Sequence, residues 1–103
     1  MTNISSYGLT SAFEEDISHL AAGTEIIGHP CTVWDLTVCI EDAVTAVVNF
    51  SNSTSTYDNS VRCGKAVIAG PGMQHIVFPK GLPVDGLCAT ANVGSVDVRV
   101  TYE

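Results

Sequence analysis

Positive charge is scarce in this chain. Its 103 residues include four Lys and Arg against eleven Asp and Glu, which gives a formal net charge of -7. Nucleic acids and anionic membrane surfaces both bind clustered cations, so this balance argues against either kind of partner. Charged residues of both signs make up only 15% of the chain, against about 25% in a typical protein. Because the centres of protein interfaces are depleted in charge, we expect part of the surface to be covered by another protein.

Long apolar runs are also missing. No segment approaches the roughly 20 consecutive apolar residues that a transmembrane helix needs. The start, MTNISSYGLT, has neither the basic region nor the apolar run of a signal peptide. We therefore expect no membrane span and synthesis in a reducing cytoplasm.

The sequence contains no recognisable catalytic or cofactor motif. It has no Gly-x-Ser-x-Gly elbow. The Gly70-Pro71-Gly72 turn precedes no helical pattern, and Pro71 lacks the amide that a phosphate would need. His75 alternates with Ile76 and Val77, which indicates a strand histidine that faces solvent or a hydrogen-bond partner. The sequence predicts no enzymatic activity and no cofactor.

The four cysteines leave three alternatives open. Free thiols are expected in a reducing compartment. Cys31 and Cys39 lie on one predicted strand at a spacing of about 26 Å, which prevents a bridge between them unless the strand is broken. A zinc site would combine His29 and Cys31 with Cys63 or Cys88, but CxxC and HxxxH pairs are missing. We expect free thiols and no metal, with one disulfide or a zinc site as alternatives.

Most of the chain has the alternating pattern of short β-strands separated by turn residues. The closing strand is the clearest, because Asp97, Arg99 and Thr101 alternate with apolar residues. Turn signals recur every 8–12 residues, which is typical of an all-β sandwich or barrel. The predicted strands are 23–28, 31–40, 43–50, 61–69, 73–78, 86–91 and 95–102. A Pro/Gly corner is predicted at 79–83, within a stretch, 78–87, that reverses the chain.

Parity within the strands predicts the core. On strand 31–40 the inward set is Trp34, Leu36, Val38 and Ile40, which makes Trp34 a core tryptophan rather than a platform for stacking sugars. On strand 43–50 the inward set is Val44, Val48 and Phe50. The closing strand contributes Val96, Val98, Val100 and Tyr102.

The N-terminal segment has a helix signal. Ser11 and Glu14 fit a capping box, and the acidic run Glu14-Glu15-Asp16 suits the positive end of a helix. The pattern predicts a short helix over residues 11–22. The domain organisation is therefore an N-terminal arm with a short helix, 1–21, followed by a β-sandwich domain, 22–103.

The polar loop 51–60, SNSTSTYDNS, is the candidate binding loop. It has little to bury, and Tyr57 is the better exposed aromatic residue of the chain. Tyr57 and Asp58 are therefore the candidate binding residues, and a carbohydrate is the ligand that such a loop would contact.

Three segments resemble small virion proteins of tailed bacteriophages. CTVWDLTVCIEDAVTAVVNFSNS is similar to their strand–turn–strand segment that leads into a polar loop. VDVRVTYE is similar to their closing strand. HIVFPKGLPVDGLCATA is similar to their corner motif, carried here by Phe78, Pro79, Gly81, Leu82, Gly86 and Leu87.

The resemblance implies a jelly-roll-like antiparallel β-sandwich in the virion. It implies a capsid decoration (cement) protein that binds the outer surface of the major capsid protein shell, stabilises the head and forms a homotrimer. A neck or tail structural protein and a carbohydrate-binding host-attachment module are the alternatives. The chain departs from the family in its four cysteines and in the short loop at Asn92–Gly94, where family members often carry a longer insertion.

Overall fold

The computed structural model describes residues 10–14, as backbone, together with 23–93 and 96–103. These residues form two four-stranded antiparallel sheets packed together, which confirms the predicted all-β sandwich. A 3-10 turn, Asn59–Val61, precedes the fifth strand. The strands are β1 Thr10–Glu14, β2 Thr24–Ile27, β3 Cys31–Ile40, β4 Thr45–Ser51, β5 Arg62–Ala69, β6 Gly72–Val84, β7 Leu87–Ala91 and β8 Val96–Tyr102.

The strands pair in a nested order. Sheet A has the order β1-β8-β3-β6, and sheet B has the order β2-β7-β4-β5. The first strand thus pairs with the eighth, the second with the seventh, the third with the sixth and the fourth with the fifth. At the two open sides of the sandwich, β1 contacts β2 and β5 contacts β6. We name these the β1/β2 side and the β5/β6 side.

The core lies between the sheets and follows the predicted alternation over most of its length. In β8 the valines 96, 98 and 100 are fully buried while Arg99 is exposed, and Tyr102 is half-buried. β8 lies between β1 and β3, so its buried face packs at the centre of sheet A. The other large, fully buried apolar side chains are Val33, Leu36, Val38, Val48, Phe50 and Leu87.

Trp34 is not a core residue, contrary to the prediction. The register of β3 shifts between Val33 and Asp35 against both neighbouring strands. Val33 and Leu36 are buried on either side of the shift, so the extra residue changes the parity of the strand. Leu36, Val38 and Ile40 face the core as predicted, and Trp34 is half-buried outside it.

Val44 is also misplaced by parity. Its side chain is 41% exposed, because β4 begins one residue later at Thr45. The buried residues of this strand are Ala46, Val48 and Phe50. Val44 precedes the first residue of the strand, so the alternation that buries Ala46, Val48 and Phe50 does not extend to it.

The helix predicted over residues 11–22 is wrong where the structure describes it. Thr10–Glu14 form β1, which pairs with β8 from Thr10–Tyr102 to Glu14–Val98. The capping-box signal is local, whereas this pairing adds a strand to an existing sheet, and such tertiary context overrides a weak helix propensity. Part of the predicted N-terminal arm therefore belongs to sheet A, and residues 15–22 lie outside the described residues.

The corner predicted at residues 79–83 is part of β6, so within the predicted reversal, 78–87, the chain turns only after Val84. β6 continues through it, because Val33 pairs with Leu82 after Asp35 has paired with Val77. The four residues 78–81 therefore bulge opposite Trp34, and Gly81 adopts a left-handed φ of 75° within this bulge. The chain leaves sheet A only after Val84 and enters sheet B at Leu87.

Candidate interaction surface

The loop 51–60 places Tyr57 and Asp58 next to each other, but each side chain is used within the loop. The Tyr57 hydroxyl donates to Asn59 Oδ1 at 3.0 Å, and partial burial raises the pKa of this phenol. Asp58 Oδ1 accepts from the backbone N–H of Ser60 at 2.9 Å and from its hydroxyl at 2.7 Å. These bonds lower the pKa of the Asp58 carboxyl, which caps the 3-10 turn. Both side chains therefore help to hold the loop in its conformation.

The same loop is held down by its serines. Ser51 is fully buried, and its hydroxyl lies 2.7 Å from that of Ser53 and accepts from the Asp58 N–H at 3.2 Å. The Ser53 hydroxyl donates to the carbonyl of Thr56 at 2.7 Å. These bonds make the loop a folded cap on the end of sheet B. Its Ser/Thr-rich composition suggested an open contact loop, because composition does not distinguish hydroxyls bonded internally from those bonded to water.

A second set of bonds ties this loop to its neighbours. Glu25 on β2 accepts a hydrogen bond from the backbone N–H of Ser55. Asn52 Oδ1 accepts from the Asp85 N–H at 2.6 Å, which joins the loop to the connection between β6 and β7. Sequence reasoning missed these two side chains, because their partners are 30 and 33 residues away.

The cysteines are free thiols. Cys88 is buried on β7, and its thiol donates to the Ser53 carbonyl at 3.4 Å. Burial raises the pKa values of Cys31, Cys63 and Cys88, which disfavours the reactive thiolate. Within residues 23–93 and 96–103, His, Cys, Asp and Glu form no group of three or more that could hold a metal ion. The combination of His29 and Cys31 with a further cysteine is therefore not assembled there.

His75 lies on the outer face of sheet A, and the structure confirms it as an exposed strand histidine with a polar partner. Its Nε2 is 3.5 Å from Asp35 Oδ1. The histidine side chain is more than half exposed, so solvent screens this pair and it contributes little to stability.

An open groove of about 440 Å³ lies between the start of β3 and the end of β6. Cys31, Thr32 and Pro83 line it, together with Asn52 and Asp85, whose mutual hydrogen bond is described above. The lining includes Cys31 and Asp85, but burial raises the pKa of the Cys31 thiol, which disfavours its nucleophilic thiolate form.

The most distinctive surface of the described residues is the apolar β5/β6 side. Among the residues whose burial the structure describes, five large hydrophobic side chains are strongly exposed. Four of them lie between residues 61 and 77, on β5, on β6 or in the turn before β5. Met73 is 67% exposed, Val77 57% and Val67 55%, and the fourth is Val61. Val67 faces outward from sheet B, whereas Met73 and Val77 share the outer face of sheet A with His75. Exposed apolar residues that share a face mark interaction sites more often than scattered single residues do.

The first half of β6 also lacks the features that protect edge strands. Residues 72–78 contain neither proline nor Lys, Arg, Asp or Glu, and β6 is the terminal strand of sheet A. Natural edge strands are usually shielded by charge, proline or a bulge, and β6 acquires these only from Pro79 and Lys80 onward. The unshielded part of the edge thus coincides with the exposed Met73 and Val77.

A scan against models of known protein families, a search of curated proteins and a search of solved structures each found no match. Over the part of the chain that the structure describes, no helix has the length and apolar character needed to cross a membrane.

Proposed function

We propose that this chain is a capsid decoration protein of a tailed bacteriophage, which binds the outer surface of the major capsid protein shell and stabilises the head. The observation that carries the proposal is the exposure of large apolar side chains on β5 and β6, where Met73, Val77 and Val67 are each more than half exposed. Such a surface suits a protein whose work is done by contact. Among the described residues, His, Cys, Asp and Glu form no group of three or more that could hold a metal ion.

The strand order supports the structural part of this proposal. Nested pairing of eight strands in two sheets is the arrangement produced when a long folded ribbon wraps into a sandwich. We assign it to the jelly-roll class, as expected from the resemblance of the three segments to small virion proteins. Jelly rolls recur in viral capsid proteins, although the fold alone does not determine the function.

Charge supports a place outside the shell. A protein with a net charge of -7 is repelled by packaged DNA, whereas outside the shell this charge is tolerable and aids solubility. We therefore propose that the chain is made in the host cytoplasm and ends on the capsid exterior.

The partners proposed are the major capsid protein and further copies of this chain, as a homotrimer. Burying the exposed apolar residues stabilises such contacts by about 25 cal/mol per Å² before entropic costs are counted. The internally bonded loop 51–60 weakens the alternative of carbohydrate attachment, because Tyr57 and Asp58 already have partners within the loop.

Copy number in purified virions tests the proposal. Quantitative mass spectrometry should find the chain in large excess over neck and tail proteins, at a number comparable with that of the major capsid protein. A count comparable with that of a neck protein would move the chain to the neck or tail. Absence from purified virions would refute the virion assignment altogether.

A further inference from the structure

The charges of this acidic chain are distributed unevenly between the two open sides of the sandwich. The strands of the β5/β6 side carry Arg62, Lys65 and Lys80, which are three of the four Lys and Arg in the sequence, and neither strand contains Asp or Glu. Arg62, Lys65 and Lys80 are all exposed.

The β1/β2 side has the opposite composition. Glu14 lies on β1 and the exposed Glu25 on β2, and neither strand contains Lys or Arg. One side of the molecule is thus cationic and apolar, whereas the strands of the opposite side bring only negative charge.

We propose that copies of this chain associate head to tail, with the β5/β6 side of one copy against the β1/β2 side of the next. Charge complementarity identifies the occupant as a second copy, because each molecule carries both halves of the contact. The contact covers the unpaired edges of β5 and β6, next to the exposed Met73 and Val77. The opposite charges of the two sides steer association and select the register.

The strand order fits this contact. A copy displaced along the direction of the strand order brings β6 to β1 in sheet A and β5 to β2 in sheet B. From the antiparallel pairings within each sheet, both meeting pairs also run antiparallel. Such a contact is heterologous, and copies related by a closing rotation form a ring. The inference does not depend on the proposed role in a virion.

A symmetric contact between two β5/β6 sides is the competing arrangement. It would bring Arg62, Lys65 and Lys80 of both copies to one interface with no carboxylate from β5 or β6 to balance them. Like charges facing each other across an interface disfavour it. The head-to-tail contact avoids that repulsion.

The test is sedimentation velocity of the full chain over a concentration series at low salt, with two charge-reversal variants. Lys65→Glu changes the β5/β6 side and Glu14→Lys changes the β1/β2 side. Glu14 is preferred to Glu25, because Glu25 holds the loop through Ser55. Arg99→Glu is the control matched to Lys65→Glu in net charge, since Arg99 is exposed on β8, in the interior of sheet A. Circular dichroism verifies that each variant folds.

We expect the wild-type mass to rise with concentration and the association to weaken as salt screens the charges. Lys65→Glu and Glu14→Lys should each raise the concentration for half-association by about threefold or more, the scale of a surface ion pair. Arg99→Glu should behave like the wild type.

Three results would overturn the inference. They are a wild-type chain that stays monomeric throughout, an effect of Arg99→Glu equal to that of Lys65→Glu, and no effect of Glu14→Lys. None of these results bears on whether the chain binds a capsid, since copy number in the virion is measured independently.

Discussion

Replacing Gly81 with alanine tests the bulge of β6 opposite Trp34. Gly81 has a φ of 75°, and a Cβ built there would lie 2.6 Å from Thr32 Cγ2 and 3.2 Å from two ring atoms of Trp34. An L-residue in the left-handed region costs about 1–2 kcal/mol. Crowding of a packed site adds roughly 1–3 kcal/mol. The loss of unfolded-state entropy returns about 0.4–1 kcal/mol.

The expected loss is therefore about 1–4.6 kcal/mol, a substantial share of the roughly 5–15 kcal/mol that stabilises a typical domain. Urea unfolding followed by circular dichroism and by tryptophan fluorescence measures it. The fluorescence reports on this site directly, because Trp34 is the one tryptophan of the sequence.

Gly64→Ala is the matched control. A Cβ at Gly64 would meet Phe50 Cδ2 at 3.6 Å, an ordinary contact, and its φ is not in the left-handed region. We expect Gly64→Ala to change stability by less than about 1 kcal/mol. Thr32→Ser removes the methyl group that the added Cβ at position 81 would crowd. Combining Thr32→Ser with Gly81→Ala should therefore recover the stability lost to crowding against Thr32. It should not recover the cost of the left-handed backbone or of the contact with Trp34. Equal costs for the two alanine variants would refute the bulge and its register.

Three further predictions concern other parts of the sandwich. Asn92→Ala should lower the free energy of unfolding in urea by about 1 kcal/mol. The reason is that the Asn92 side-chain amide accepts from the Val47 N–H at 2.7 Å and donates to the Thr45 carbonyl at 3.3 Å. An unchanged stability would show that water replaces these bonds fully. Phe50→Ala removes a fully buried ring and should lower the unfolding free energy by about 3–5 kcal/mol, whereas a loss below about 1 kcal/mol would contradict its place in the core. Burial raises the pKa of the folded Cys88 thiol above its ordinary value of 9.0. The unfolded chain therefore loses this proton first, and the free energy of unfolding falls as pH rises through that value. Cys88→Ala should make this fall smaller between about pH 8 and about pH 10, and an unchanged pH dependence would contradict the prediction.

The alternation of apolar residues predicted the interior strands well, because a sheet that buries one face imposes a period of two. Val96, Val98 and Val100 face the core as expected. The pattern failed where the register shifts. Trp34 has the parity of Leu36, but the bulge between Val33 and Asp35 depends on two neighbouring strands that the local sequence does not reveal.

The N-terminal strand shows a second limit of sequence patterns. Ser11 and Glu14 have the spacing of a capping box, but this segment pairs with β8, almost at the other end of the chain. A local signal worth a fraction of a kcal/mol cannot compete with a complete strand pairing. Chain order alone also gave no reason to expect that residues 10–14 would complete sheet A.

The candidate surface was only partly predictable. The low charge content predicted that some surface is covered, but it did not indicate which. Tyr57 and Asp58 were chosen for their polar loop, and the structure gives both side chains partners within that loop. The apolar β5/β6 side emerged only from the exposure of Met73 and Val77, because alternation predicts which residues share a face but not which face is left uncovered.

The central claim is that this sandwich works by covering the outside of a capsid. Cryo-electron microscopy of the virion that carries the chain tests it most directly, since the position of the density is independent of sequence resemblance. We predict density for the sandwich on the outer surface of the shell, in contact with the major capsid protein and repeated over the head. Density confined to the neck, the tail tip or the inside of the head would contradict the claim.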